Sequence, residues 1–548
     1  MRIEALQQEL ARSGVQVSRR DLIRLAAAGG AALAAGPLLT GPVAAQDALA
    51  PTPGGIWRMA IGGTPTVYPI TAPAALVDLL VNKTIYNNLT QYQLVDGAIQ
   101  AVPDLAESWE SNPELTQWTF KLRSGVLWHD GTPLTSADVK FTFETLLNPE
   151  VNASARGVIS SIDTIEAVDD LTVRFNLKTA FAPLPVMLGY NQCIVPKHLI
   201  EGQNLNQPAA FLAAPVGTGP FRVKELSAGN YLEVSRNDAY FGGPALLDGI
   251  IFKTITDGNA RAAQIRSGEI DLTVIDPAQV DSMAGASNLV LRQEPQVNYY
   301  FLAVNHSIPK LQDPRVRQAL SHVLDKNAIV ASILAGAGQV ATGPIHPFLG
   351  DYYNPNVQTY AYDPDAAAQL LTDAGWTKGD DGILVNAAGE RFTLLINGPK
   401  GYPVLEQVLV YAQSEFQQLG IEVTLDIPEW TVHLEQYHDL KYDLLVQWWV
   451  TPPDPDLYDH YYSTSSSNWW AYNNPELDPL LIEARSQADH AARVELVHQI
   501  QTMVALDLPV LYLYHVQEIQ ALSSRTQGLV EMGYRDALTW SELIWVTQ

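Results

Sequence analysis

The stretch best equipped to meet a ligand is Gln447-Trp-Trp-Val-Thr-Pro-Pro-Asp-Pro-Asp456, two tryptophans followed by a proline-broken acidic loop. It closes a near-continuous apolar run, Tyr442 to Val450, of the kind found in a buried central strand. Successive strand residues face opposite ways, so one of Trp448 and Trp449 belongs to the core. The other is left to stack on a ligand. Asp454 and Asp456 add carboxylates nearby. A second aromatic cluster, Asn468-Trp-Trp-Ala-Tyr472 with Tyr458, Tyr461 and Tyr462, suits stacking on a sugar face or an extended chain as well as it suits packing.

Groups for covalent chemistry are sparse. The chain has no Gly-x-Ser-x-Gly elbow, His-Glu-x-x-His, paired-cysteine motif or P-loop. His129 beside Asp130 reads as a turn pair, because sequence neighbours rarely present side chains to one shared site. Pro215-Val-Gly-Thr-Gly-Pro-Phe221 lacks the third glycine, the lysine and the following helix of a phosphate loop, which predicts a turn between strands. His433 and His438 lie five apart and off one helical face, a poor zinc pair. The single Cys193 sits in an apolar run and reads as a core residue. No catalytic residue, metal or cofactor is expected. A secreted hydrolase of peptides or glycans stays open as a competing class, since carboxylate pairs are not recognisable from spacing.

The elements that must position these groups alternate between strand and helix. Ile56 to Ile61 reads as a strand ending at Gly62-Gly63, followed by the loop Thr64-Pro-Thr-Val-Tyr-Pro69. Loops at strand ends hold ligands in open α/β sheets, which makes Thr64, Thr66 and Tyr68 candidates. A helix is predicted over Ala75 to Leu89. Trp118, Phe120 and Leu122 alternate as a half-buried strand, as do Leu171, Val173, Phe175 and Leu177. Between them, Thr135 to Asp138 fits a capping box opening a helix to about Leu147. Tyr299 to Val304 is an apolar strand that drops into the turn Asn305-His306-Ser307. Asp313-Pro314 then caps one helix and Asp325 another, which Gly336 and Gly338 close. Asp363-Pro364 opens a short helix that Gly375 stops. Phe392 to Asn397 and Ile421 to Ile427 flank a helix over Val404 to Leu419, an order that argues for a parallel sheet. The last strand-like run is Val510 to His515, and the chain from Ala521 is expected to return to the first lobe.

At 548 residues the chain exceeds one core and should form two or three domains. Its net charge of -26 disfavours binding to nucleic-acid backbones. Ser18-Arg-Arg-Asp-Leu-Ile-Arg24, the apolar run Leu25 to Leu39 and Val43-Ala-Ala45 together fit a twin-arginine export signal over residues 1–45. The apolar run is shorter than the roughly 20 residues needed to span a bilayer. No cysteine follows it, so no lipid anchor is expected.

Several blocks carry a resemblance. Asp104-Leu-Ala-Glu-Ser-Trp109, Leu122-Arg-Ser-Gly-Val-Leu-Trp-His-Asp-Gly-Thr-Pro-Leu-Thr-Ser-Ala-Asp-Val139, the glycine-rich 215–221, Arg236-Asn-Asp-Ala-Tyr-Phe241, Arg266-Ser-Gly-Glu-Ile-Asp271 and the stretch from Tyr299 to Pro347 are the residues concerned. In order and spacing they resemble the extracytoplasmic solute-binding proteins of the dipeptide/oligopeptide/nickel family of ABC importers, family 5, from about Gly54 to about Trp545. The resemblance implies an α/β, two-lobed periplasmic-binding-protein fold (class II, large peptide-binding type) with an extra subdomain in lobe I. The implied division is signal 1–45, linker 46–55, lobe I 56–90, extra subdomain 91–215, lobe I 216–302, lobe II 303–517 and a return to lobe I over 518–548.

It further implies an exported monomer, periplasmic or at the cell surface, that captures a peptide or peptide-like solute between its lobes by hinge closure. The loaded form would be delivered to the permease subunits of an importer, with a sensor as the alternative partner. No nucleic-acid partner is implied. The cleft candidates are Thr64, Thr66, Tyr68, Tyr299, Tyr300, Asn305, Trp448, Trp449, Thr451 and Asp454. Peptide-binding relatives carry Trp-x-x-Asp at the tryptophan motif, and that aspartate holds the peptide's free α-amine. Here Thr451 occupies its place after Trp448. A hydrogen bond to a charged group is worth about 1.5–3 kcal/mol against about 0.5–1.5 for a neutral one. The shortfall amounts to roughly tenfold in affinity for a free amine. Either Asp454 or Asp456 compensates in another loop register, or the ligand is an oligosaccharide or opine-like solute.

Overall fold

The computed structural model describes residues 50–72, 76–95, 98–530 and 537–547. The export-signal reading of residues 1–45 lies outside the described residues. The first lobe opens with β1 (Ile56–Ile61) and α1 (Leu76–Ile85). α1 stops short of the predicted Leu89 because another segment captures its last carbonyl. Gly219 N–H donates to Ile85 O at 2.8 Å. A Cβ on Gly217 would lie 1.9 Å from that same oxygen. The glycine-rich loop at 215–221 is thus glycine-rich because backbone meets backbone there.

The hairpin β2 (Thr90–Val95) and β3 (Ala98–Pro103) leads to a four-stranded antiparallel sheet. Its strands are β4 (Ala106–Ser111), β5 (Gln117–Leu122), β6 (Ile162–Asp169) and β7 (Thr172–Leu177), in the order β4-β5-β7-β6. α2 (Ser136–Leu147) crosses it behind the capping box at Thr135 and Asp138. Phe175 joins helix and sheet by meeting Phe143 and Phe120 edge-on, at centroid distances of 5.1 and 5.6 Å. Next come β8 (Phe221–Ser227), β9 (Tyr231–Arg236), β10 (Gly249–Thr254), α3 (Gly258–Ser267), β11 (Leu272–Ile275) and β12 (Leu289–Pro295).

The second lobe begins with β13 (Asn298–Val304) and α4 (Pro314–His322), capped by Asp313 through Arg315 N–H at 2.9 Å. The buried Arg317 of α4 donates to the carbonyls of Leu311, Gln312 and Asp507, which ties the helix to the end of a later one. Asp325 caps a single turn that widens into a π-helical turn, Ile329–Ile333, instead of a regular helix. β14 (Gly338–Val340), α5 (Pro364–Asp373), β15 (Thr377–Lys378) and β16 (Leu384–Val385) follow. Then β17 (Thr393–Asn397), α6 (Pro403–Leu419), β18 (Glu422–Asp426), α7 (Trp430–His438) and β19 (Leu444–Val450) build a strand–helix–strand layer. β17 pairs in parallel with both β18 and β19.

α8 (Asp478–Ser486) and α9 (His490–Asp507) lead into β20, the 14-residue strand Val510–Ser523. The predicted strand ended at His515. The observed one continues because it changes partners instead of stopping. Its first half pairs with β13 and β14 in a sheet ordered β18-β17-β19-β13-β20. Its second half pairs with β11 and β12, and joins the sheet β20-β11-β1-β10-β9-β8. The lobes therefore share β20 and the short crossing from β12 to β13. On the first-lobe side, fully buried Asp271 accepts from Arg58 N–H at 2.9 Å and from Arg525 at 2.6 and 2.8 Å, locking β1, β11 and the end of β20 together.

Candidate functional site

Where β20 and the β12–β13 crossing pass between the lobes, the protein forms a half-open cavity of about 790 Å³. Its first-lobe wall includes Leu79, Tyr190 and the segment Val274 to Ala278 after β11. The second-lobe wall includes Tyr300, Trp448, Tyr514 and the Gly401 to Leu405 entry to α6. The strand ends facing it are set by polarity. β13 runs away from the cavity while β19, antiparallel to it, runs toward it.

That geometry sorts the sequence-derived candidates. Tyr300 and Trp448 are directly paired across β13 and β19, so they share a face, and both line the cavity. Tyr299 and Trp449 are the next pair along and point to the opposite face. There Tyr299 is fully buried against Phe301 and Tyr512, and Trp449 packs edge-on to His460 at 4.0 Å. Asn305, just past the end of β13, lies roughly 16 Å further along than Tyr300 at about 3.3 Å per residue. Its Nδ2 donates to the carbonyls of Leu440 and Tyr442 at 3.0 and 2.9 Å, a structural staple outside the cavity.

Thr64, Thr66 and Tyr68 also lie off the cavity lining. The Thr64 hydroxyl accepts from Gly229 N–H, Thr66 N–H donates to Asp78, and Tyr68 is buried with its hydroxyl on Leu205 O. Thr451 is buried at the end of β19 with its N–H on Val297 O at 2.9 Å and its Oγ1 without a partner. Neither neighbouring carboxylate is available to replace it. Asp454 makes a bidentate pair with Arg493, both bonds at 2.6 Å and both residues buried. Asp456 accepts from Arg485 Nε at 2.8 and 3.0 Å. Arginines from α8 and α9 hold this loop, so its carboxylates point into protein.

Two features of the site were missed from sequence. One is the extent of the aromatic wall. Tyr514 stacks on Tyr300 (4.8 Å, 18°), Tyr300 on Trp448 (5.9 Å, 25°) and Trp448 on Trp430 (5.4 Å, 29°), with Tyr402 against the last two rings. Tyr514 reaches this face through a bulge. β13 pairs Phe301 with Tyr512 but Tyr300 with Tyr514, so Leu513 is the extra residue that turns Tyr514 over. Strict alternation along β20 would have put both tyrosines on one side.

The other is a polar corner beside that wall. Asn298 Nδ2 donates to Gln296 Oε1 at 2.7 Å, and Gln296 Nε2 donates to Glu518 Oε1. Glu518 Oε2, Asn298 Oδ1 and the Tyr514 hydroxyl are buried and have no partner. Burial pushes the Glu518 carboxyl up to about 7 against the pull of its Gln296 bond. Burial, with the charge of Glu518 adding to it, raises Tyr300 to about 12. Burial lowers His515, whose Nδ1 bonds Asn298 O at 2.7 Å, to about 4. Among the described residues lining the cavity, Asp276 and Glu518 are acidic and none is Lys or Arg.

Elsewhere, titratable groups serve packing. His129 accepts from Gly217 N–H at 3.1 Å and bonds Gly219 O at 3.0 Å, and burial depresses it to about 4. Asp130 is turned to His198 instead. His433 is buried near Gln447, whereas His438 packs on Trp469. Burial raises the Cys193 thiol to about 12. No group of three metal-ligating side chains occurs among the described residues. No helix among them is long and apolar enough to cross a membrane.

Comparison with known proteins accounts for most of the chain. A family model described as bacterial extracellular solute-binding proteins, family 5 Middle, matches residues 100–471. The chain is 29% identical over 500 residues to the oligopeptide-binding protein AppA of Bacillus subtilis (strain 168), covering 88% of this chain and 90% of that one. Its fold is similar to the solved structure of that protein in complex with a nonapeptide, with a TM-score of 0.75, 28% identity and coverage of 91% and 100%. It is also similar to the binding protein AgaA from A. tumefaciens R10 in complex with agropinic acid, with a TM-score of 0.74, 26% identity and coverage of 90% and 99%.

Proposed function

The chain belongs to the bacterial extracellular solute-binding proteins of family 5, and we propose that it captures a peptide between its lobes and presents it to the permease of an ABC importer. The observation that carries this reading is the cavity itself, walled by both lobes and floored by the Tyr514–Tyr300–Trp448 stack. Aromatic faces bury an apolar or extended ligand without demanding one side-chain sequence.

The capture step is binding alone. Only β20 and the β12–β13 crossing would need to flex as the lobes part and close. Closure would also complete contacts between the extra subdomain and lobe II. Ala182 N–H donates to Arg485 O at 2.7 Å, and the Arg485 guanidinium lies 5.4 Å from the Phe181 ring centroid. The loaded form is then distinguishable by shape, which is what a permease reads. Export through a twin-arginine signal and action as a monomer complete the proposal.

Native mass spectrometry of the protein purified without denaturation tests it. Retained species with amino-acid-residue mass spacing support the peptide reading. Sugar-unit spacing favours the oligosaccharide alternative, for which the aromatic floor is equally suited. Conversion of a bound peptide or glycan to product during incubation would instead establish a hydrolase.

A further inference from the structure

The polar corner of the cavity is built almost entirely of acceptors. Glu518 Oε2 and Asn298 Oδ1 can only accept while the carboxyl is ionised, and both are buried without a partner. The third open atom, the Tyr514 hydroxyl, accepts as readily as it donates. Gln296 spends its side-chain amide inside the corner, on Glu518 and Asn298, and so fixes the orientation of both. No described lysine or arginine lines the cavity to satisfy these atoms. A buried acceptor left unmade costs about 1–3 kcal/mol, more for a charged group. A ligand bearing several N–H donors and a positive charge removes that cost and also compensates the carboxylate's charge.

We propose that Glu518, oriented by Gln296 and linked through it to Asn298, is the anchor for a cationic nitrogen of the ligand, a role that position 451 does not fill in this chain. For a peptide this is the free α-ammonium or a basic side chain near the N-terminus. The inference rests on the capture function proposed above but specifies the charge of the ligand and the residue that reads it. It also explains why Thr451 is tolerated. The Thr451 side chain is buried away from the cavity, whereas β20 delivers a carboxylate to the cavity wall from the other crossing. The aromatic stack beside the corner reinforces the same preference, since ring faces attract cations.

The test uses an equimolar tetrapeptide pool without basic side chains and the same pool N-acetylated, each offered near neutral pH to the full protein and to Glu518→Gln. Bound species are read by native mass spectrometry. The expected result is a preference of about tenfold or more for the free-amine pool. Glu518→Gln is expected to abolish that preference while its unfolding midpoint stays at or above that of the parent. Equal binding of the two pools, or an undiminished preference in Glu518→Gln, overturns the inference while leaving peptide capture standing. If neither pool binds, peptide capture fails by itself, and the species released from the purified protein decides the anchor. A released ligand lacking a cationic nitrogen overturns it. One that carries such a nitrogen and is lost in Glu518→Gln upholds it.

Discussion

Asp454 separates a structural reading of the tryptophan loop from a ligand-binding one. Its two carboxylate oxygens meet Arg493 Nη1 and Nη2, each at 2.6 Å, with 3% and 6% of the two residues exposed. Arg493 also donates to Ala484 O at 2.8 Å and to the Tyr352 hydroxyl at 3.2 Å. Replacing Asp454 by Asn keeps one acceptor but leaves a buried guanidinium uncompensated, and breaking such a pair costs about 3–5 kcal/mol. Because Asn retains one bond, the expected loss is at the lower end, about 3 kcal/mol.

Urea unfolding followed by tryptophan fluorescence reads this as a midpoint lowered by about 1 M, given slopes of a few kcal/mol/M for large domains. Replacing the pair together, Asp454→Leu with Arg493→Met, should recover much of the loss, because apolar residues of similar volume often match a buried ion pair. Recovery stays partial, since the Ala484 carbonyl loses its donor. A loss below about 1 kcal/mol for Asp454→Asn, accompanied by a selective fall in ligand affinity, would refute the structural assignment.

Three other outcomes follow from the same geometry. Trp448→Ala should lower ligand affinity measured by titration calorimetry by about tenfold or more, while Trp449→Ala should lower the unfolding midpoint and leave affinity unchanged, because stacked aromatic pairs are worth about 0.5–1.5 kcal/mol beyond their buried area. Reversed effects would mean the two faces of β19 are misassigned. Glu518 is raised from 4.5 to about 7 by burial, so the folded chain holds a proton that the unfolded chain releases between those values. Ligand-free stability should be fullest below about 4.5 and decline as pH rises toward about 7. Affinity for a cationic ligand should rise over the same window. Glu294 opposite on β12, Asp276, Tyr300 and His515 are the titratable groups around it, and a profile that Glu518→Gln does not flatten would refute the assignment to Glu518. Gly217→Ala would place a Cβ 1.9 Å from Ile85 O, and should lower stability by about 2 kcal/mol or more through displacement of that backbone contact. A neutral result in thermal unfolding would show that the loop relaxes freely.

The local signals in the chain were strong where one residue type answers one backbone need. Asp313-Pro314, Asp363-Pro364 and the Thr135–Asp138 box each start a helix where the sequence places it. The β17–α6–β18 order produces the expected parallel pairing. Alternation in β19 is enough to divide Trp448 from Trp449, because the period of a strand is two and admits only two faces. Less legible were the stop of α1 at Ile85, set by a loop more than a hundred residues away, and the continuation of β20 past His515.

The sequence by itself thus determined the family, the alternation of strands and helices, and the aromatic motif at the end of a buried strand, since these depend on caps, periodicity and composition within short windows. Only the tertiary structure decided which carboxylate lines the cavity. Asp454 and Asp456 adjoin the tryptophans in sequence, yet Arg493 and Arg485 hold them inside lobe II. Glu518 is far from them along the chain and reaches the cavity wall because β20 crosses from one lobe to the other beside it. Tyr514 faces the same cavity only because a single bulged residue inverts the strand's alternation. Pairing partners and bulges are properties of distant segments meeting, and no local window of sequence contains them.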